Sequence, residues 1–432
     1  MRKKVSFEVH DITSIKEALL AWSHRYYEVV WLDSNAHTSP YSSLDALLAV
    51  DALTSLKTDF HHAFEDLKTY QSETKDWIFG YLSYDLKNDI EKLSSTNYDG
   101  LEFPELYFFQ PKKIIKIRGN TLEFDYLNMV ADEITADFKA IGAQKPSIEK
   151  VHLVSKKEIA IQMRMTKDEY DSQISKILSH IHRGDLYEVN FCQEFYVEDT
   201  KIDPLEVYHK LNSISKAPFA TFLKIENTHL LSASPERYLK KIGDKLISQP
   251  IKGTARRSND PIEDAEFKKA LAHDIKERSE NIMIVDLVRN DLSKSAVKGS
   301  VAVEELCKIY TFNQVHQMIS TVTAQVKAHT HPVDLIKESF PMGSMTGAPK
   351  ISAMHIIEAL ETFKRGLYSG AVGYFTPDND FDFNVVIRSI VYNDTKPYIS
   401  FSVGSAITAL STPEFEYQEC LLKAKAMRQV LE

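Results

Sequence analysis

Pro250-Ile251-Lys252-Gly253-Thr254 sets an ammonium group between a proline-led entry and a glycine. Proline cannot donate to a sheet ladder and glycine permits close backbone approach, so the spacing predicts that Lys252 leaves a strand end for a cavity. Such a lysine is a candidate nucleophile. With an ordinary pKa of ~10.4 it is neutral in only about one molecule in a few thousand at pH 7, so the role demands desolvation or cationic neighbours. Arg256 and Arg257 follow closely. The structural alternative is a solvated lysine in a turn.

Four further features could do chemistry, each with a structural alternative. Glu277 and Glu280 stand three apart in one helical stretch and Glu416 and Glu419 in another, so each pair shares a face. Carboxylates on two helices can hold Mg²⁺, which takes a couple of carboxylates plus substrate oxygens and water; they can equally be solvated helix faces. The loop Phe340 to Lys350 carries Gly343 and Gly347 into a helix whose first N–H groups could receive an anion. It fails the phosphate-loop pattern, because its lysine follows proline and precedes isoleucine. Arg388 lies in an apolar strand, on one face with Asp382, Asn384 and Val386, where a guanidinium needs a carboxylate from the protein or from a ligand. Ser234-Pro235-Glu236-Arg237 puts a glutamate at a strand end, as an acid or as a partner for Arg237.

The chain that must position these groups has 432 residues, 43% hydrophobic and 26% charged, as in a globular protein with a substantial core. A formal net charge of -9 argues against non-specific nucleic-acid or membrane binding, so an anionic ligand would need local cations or a metal. Cys192, Cys307 and Cys420 lack metal-ligand spacing and read as reduced thiols. Met1-Arg2-Lys3-Lys4 is followed by strand-like alternation, and no apolar run reaches membrane-spanning length. A cytoplasmic location is expected.

The first ~110 residues read as short strands mixed with helices, and Arg118-Gly119-Asn120 as a hairpin turn. The polar stretch from Ala131 to Ile161, with Pro146, is the expected boundary between residues 1–145 and 160–432, the two packed as one unit. Thr166 to Glu169 is a capping box, followed by a helix burying Tyr170, Ile174, Ile177 and Ile181 and ending before Gly184. Leu186 to Val197 reads as a strand with Glu188, Asn190, Cys192 and Glu194 on one face. Strands are expected at Phe219 to Ile225, Leu230 to Leu239 and Lys245 to Ile251, then one long helix from Ile262 to Leu292. Pro349 falls in the first turn of another helix, and Thr412 caps the last. Hairpins with intervening helices predict an α+β fold of stacked large antiparallel sheets with outer helices, α/β/β/α.

In one order along the chain, these segments resemble the chorismate-utilising enzymes: anthranilate synthase component I, aminodeoxychorismate synthase component I, isochorismate synthase and salicylate synthase. The matching stretches are Gly184 to Asn190, Ser234 to Arg237, Pro250 to Thr254, Glu280 to Asp291, Phe340 to Lys350, Arg365 to Tyr374, Arg388, and Pro413 to Lys423. Leu32-Asp33-Ser34 and Gly80 to Tyr84 match more loosely, Ser34 falling where the anthranilate branch has an amino-acid pocket; a packing role is the expectation here. Two positions sort the branches. The water-adding members carry lysine where this chain has Glu188, and the aminating ones usually glutamine. Lysine at position 252 marks aminodeoxychorismate synthases, where anthranilate synthases carry alanine.

The resemblance implies amination of chorismate at C4 to 4-amino-4-deoxychorismate, on the route to 4-aminobenzoate and folate. Anthranilate synthase component I and a catalytically silent chorismate-binding subunit are the alternatives. By similarity Lys252 adds to C2, Glu236 is the general acid on the departing C4 hydroxyl, His316 stands near the ring, and Thr254 completes the catalytic set. Arg388, Tyr374, Thr346, Gly404, Lys423 and Gly253 bind substrate. Glu280 and Glu419, with Glu416 nearby, hold Mg²⁺. Ammonia would come from a separate glutamine amidotransferase subunit.

Overall fold

The computed structural model describes residues 1–42, 44–144, 159–312 and 315–432. Its strands join through antiparallel ladders into one continuous network that doubles into two layers. Two long strands, Ala46–Thr58 and Leu106–Arg118, make the fold-over, because each runs from one layer into the other. Leu106 and Phe108 face one helical layer, Ile115 and Ile117 face the opposite one, and Tyr107, Phe109 and Ile114 point between the sheets. Where the change of side occurs, the ladder slips between Ala52 and Thr54, opposite Pro111. A bulge and a residue without an N–H donor suit such a bend.

Helices Ile12–Ser23, Lys167–Arg183, Pro204–Ser215 and Pro413–Leu431 cover one outer face with side chains such as Leu19, Tyr170, Tyr208 and Met427. Ala63–Thr74, Ile275–Ser295 and Pro332–Ser339 cover the other with Phe64, Ile284 and Ile336. Between the sheets lie strand and loop side chains, Val30, Leu47, Tyr81, Leu223 and Val372 among them. This is the α+β, α/β/β/α architecture expected from the sequence.

Strands from either side of the polar stretch share ladders: Glu28–Asp33 pairs with Phe219–Ile225, and Ile78–Leu82 with Ala371–Phe375. The expected boundary near Pro146 lies outside the described residues. The capping box on Thr166 forms, and Gly184 ends that helix at φ 90. The long helix expected from Ile262 to Leu292 is two helices, Pro261–His273 and Ile275–Ser295. Asp274 breaks it by adopting extended backbone and capping the Glu277 N–H. The strand expected through Leu239 is interrupted at Pro235, which frees Glu236 from the ladder. Pro349 is the N-cap of helix Lys350–Leu360 rather than part of its first turn. No helix among the described residues is long and apolar enough to cross a membrane.

Candidate functional site

Lys252 sits on strand Ile251–Arg256 at a place where its ladder with Val315–Gln325 slips between Ile251 and Thr254. Gly253 makes the slip possible with φ +91, and a Cβ there would press on Glu277 at 3.2 Å. The irregularity sends the lysine inward, so that Nζ lies 2.9 Å from Glu188 Oε1, the side chains being 13% and 1% exposed. Burial works against charge on Lys252, but Glu188, Glu280 and Glu419 more than offset it and hold the ammonium well above its ordinary value. The resting lysine is therefore protonated.

Glu236, freed from the ladder by Pro235, is buried and accepts a 2.7 Å hydrogen bond from the Ser344 hydroxyl. Burial pushes its carboxyl up to about 7, against the opposing pull of Ser344 and of the Lys252 charge. A carboxyl protonated near neutral pH is what a general acid requires. Ser344 comes from the Phe340 to Lys350 loop, which is zipped to strand Glu188–Glu198 by the pairs Gly347–Val189 and Ala348–Glu188. Thr346 is fully buried; its carbonyl accepts from the Asn190 N–H at 2.8 Å, while its hydroxyl turns to the Met342 and Gly343 carbonyls.

Glu280 projects from helix Ile275–Ser295 and Glu416 and Glu419 from Pro413–Leu431. Burial pushes Glu280 up to about 7, with Lys252 opposing. For Glu419 burial is outweighed by Lys423, bonded at 2.5 Å, and its carboxyl falls below its ordinary value. Glu416 accepts from the Ser405 hydroxyl. Glu188 Oε2, Glu280 Oε1 and Glu416 Oε1 are buried without a hydrogen-bond partner among the described residues. Buried carboxylate oxygens left so call for a proton or a cation, and hard oxygen donors match Mg²⁺. Among the described residues no three such side chains form a ready-made metal cluster, and Lys252, Lys276 and Lys423 interleave the acids.

On the other side of these acids lies a cationic corner. Arg388 is not in a continuous strand as expected: it falls in the break between Phe381–Val385 and Ser389–Asn393, at φ 53. It donates to the Lys423 carbonyl at 3.2 Å, and burial lowers its hold on its proton. Lys423 Nζ donates to the Gly404 carbonyl at 2.8 Å. Gly404 leaves room for Asn190, whose amide would lie 2.7 Å from a Cβ. A partly buried guanidinium with no ion pair among the described residues suits a ligand carboxylate.

Two of the expected site residues, Tyr374 and Ser34, line a second cavity. His316 is buried with Nε2 3.0 Å from Asp264 and Nδ1 3.0 Å from the Thr311 hydroxyl. The ladder pairs His316 with Ala255 and Gln317 with Thr254, which puts His316 and Thr254 on opposite faces. Thr254 is exposed. Tyr374 alternates away: with Val372 it lines a separate cavity of ≈ 80 Å³, its ring against Trp77 and Phe79. Ser34 borders that same cavity, its hydroxyl without a hydrogen-bond partner among the described residues. The tyrosine that biases Arg388 electrostatically is the buried Tyr368, six residues earlier. Tyr368 and Ser344 were missed: nothing in their composition separates them from their neighbours, and only strand parity for Tyr374 could have redirected the choice.

The inward lysine, the raised glutamic acid and the acid-lined cationic corner lie within a match to the chorismate binding enzyme model over residues 27–429. The chain belongs to this family. It is 41% identical over 282 residues to a probable aminodeoxychorismate synthase, chloroplastic, of Oryza sativa subsp. japonica, covering 65% of this chain but only 31% of that protein. With aminodeoxychorismate synthase component 1 of Salmonella typhimurium it shares 34% identity over 359 residues, 82% of this chain and 76% of the relative. The crystal structure of anthranilate synthase component I from Streptococcus pneumoniae superposes with a TM-score of 0.76 at 22% identity, covering 91% of this chain and 94% of that one. That likeness fixes the fold. An anthranilate synthase component I-like protein of Synechocystis is similar to the same degree, 32% identical over 361 residues, 82% of this chain and 72% of that protein.

Proposed function

We propose that the chain aminates chorismate at C4 to give 4-amino-4-deoxychorismate, the activity carried in the names of its relatives. The observation that carries this reading is the direction of Lys252: its amine is buried at 2.9 Å from Glu188, and the Glu236 carboxyl lies close enough to feel its charge. An amine nucleophile and a protonated acid in one site suit a displacement split into two steps. Lys252 adds to ring carbon C2 while Glu236 gives its proton to the departing C4 hydroxyl. Ammonia then attacks C4 and expels the lysine.

Arg388 and Lys423, with the Gly404 backbone, would hold the enolpyruvyl carboxylate, and Tyr368 would steady Arg388. Thr346 and Gly253 act through the backbone geometry they impose on the loop and on the Lys252 strand. Mg²⁺ fits the unpartnered oxygens; Glu280 and Glu419, with Glu416 nearby, would hold it, and bound there it supplies positive charge for the ring carboxylate. Cys192, Cys307 and Cys420 are all buried, which supports a separate glutamine amidotransferase as the ammonia source and a reducing, cytoplasmic setting. In the second cavity, Ser34 Oγ and Asn384 Oδ1 are buried acceptors without partners among the described residues, which supports an amino-acid ammonium as ligand there.

Product analysis with chorismate and an ammonium salt tests the reading. An intermediate that yields 4-aminobenzoate only after a lyase is added supports it. Fluorescent anthranilate would assign the chain to the C2-aminating branch instead.

A further inference from the structure

We propose that Glu188 is the proton acceptor of Lys252, so that the free amine forms by transfer within the buried pair and not by loss of a proton to solvent. The inference rests on the nucleophilic role just given to Lys252. That role has an obstacle: the lysine is an ammonium at rest and has no lone pair to donate. Glu188 Oε1 lies 2.9 Å away, within direct transfer distance, and the pair is nearly closed to water. Its other oxygen, Oε2, is buried without a hydrogen-bond partner among the described residues, so no donor among them ties it to the charged form. The backbone fixes the acid in place through the two-residue strand beside it, by the Ala348 pairing and the tight approach of Gly347 to the Glu188 carbonyl.

The balance is simple. One Lys252 N–H bond breaks, the proton goes to Glu188 Oε1, and the electron pair stays on nitrogen. That pair forms the bond to C2 as the ring double bond shifts and the C4–O bond breaks. The departing oxygen takes the Glu236 proton and leaves as water. When ammonia bonds to C4, the ring electrons return, the C2–N bond breaks with its pair going back to Lys252, and the extra ammonia proton restores Glu236. Glu188 stays neutral throughout and returns its proton once product leaves.

A glutamine at this position could hold an ammonium but not take its proton. Transfer inside a Lys–Glu pair leaves net charge unchanged, so its extent does not follow bulk pH. A lone lysine must release its proton, and its active fraction then rises tenfold per pH unit below its pKa. The other charged groups facing Lys252 are Glu236, Glu277, Glu280 and Glu419, and Lys276 stands beside the acids. All of them remain in the variant below, so a changed profile reports Glu188.

The test compares wild type, Glu188→Gln and Glu188→Asp. For the free protein without metal, amine labelling of Lys252 is followed by mass spectrometry across pH. For turnover, kcat/KM for chorismate is measured across pH with free ammonia held constant. Lys252 in Glu188→Gln should label at lower pH than in wild type, because its carboxylate partner is gone. Its kcat/KM should fall on the order of 10²-fold near pH 7 and gain an acid limb of about tenfold per unit that wild type lacks. Glu188→Asp, which keeps the acceptor, should lose rate but not gain that limb. Wild-type C4 amination together with a Glu188→Gln profile of unchanged shape and height, or unchanged labelling, overturns this inference alone. Absence of C4 amination by wild type overturns the nucleophile reading and this inference with it.

Discussion

The Ser344 hydroxyl donates to Glu236 Oε1 at 2.7 Å, and Glu236, 5% exposed, is buried beside Tyr238, Pro250, Val288 and Met342. Glu236 consequently titrates at about 7 against an ordinary 4.5. The folded chain binds this proton more tightly than the unfolded chain does, so its stabilising effect is complete below the ordinary value and is lost as pH rises through about 7. Between about pH 5 and about pH 8 wild type should lose about 2–3 kcal/mol relative to Glu236→Gln, which has nothing to titrate. Denaturant unfolding of both proteins at the two pH values measures this. Equal slopes would refute the burial-driven shift. The same substitution should lower C4 amination by about 10²–10⁴-fold.

Lys252→Ala should remove C4 amination by at least about 10³-fold, since the adduct at C2 has no nitrogen to form it. Lys252→Arg is the control for folding: it keeps a cation beside Glu188, but a guanidinium does not give up its proton. Chromatography of the products after chorismate and ammonium treatment should show both variants silent at C4, with any remaining amination at C2. Full C4 product from either would defeat the covalent role.

Much of this was legible from the sequence because its signals were local. The Thr166 capping box, the Gly184 stop and the pairs Glu277/Glu280 and Glu416/Glu419 depend on neighbours within one helical turn, and the structure keeps all of them. The stacked sheets were readable as alternation. What failed depended on register. Tyr374 stands on a strand where one step of parity decides the face, and parity follows the ladder to Ile78–Leu82, which is distant in the chain. Arg388 was misplaced because a strand break at positive φ leaves no mark in a non-glycine residue. Glu188 read as a departure from a pattern, and its 2.9 Å contact with Lys252, 64 residues on, is a fact of tertiary packing alone.

Glu419→Gln should raise the Mg²⁺ concentration needed for half-maximal activity by about 10–100-fold, because the variant loses a charged donor and also frees Lys423 from its 2.5 Å partner. Chelator treatment of wild type should abolish turnover reversibly. Fluorescence or calorimetric Mg²⁺ titration without chorismate reads the site apart from activity. An unchanged titration would remove Glu419 from the ligand set.

Gly347→Ala tests whether the loop bearing Ser344 is held against Glu188 by backbone contact. At φ +151 a Cβ would stand 2.2 Å from the Glu188 carbonyl oxygen and 2.9 Å from Ala353 Cβ, so the two-residue ladder to Glu188 and Val189 must open. The expected cost is about 1–3 kcal/mol in unfolding free energy. A shift of about 1 Å between Ser344, Glu236 and Lys252 should also cut kcat by about 10²-fold at temperatures where circular dichroism shows the variant folded. Gly119→Ala is the matched control. It also has positive φ, +54, but nothing lies within 4 Å of its Cβ, so it should lose roughly 1–2 kcal/mol and keep kcat. If the two variants lose stability and activity alike, the contact with Glu188 has no special place in the site.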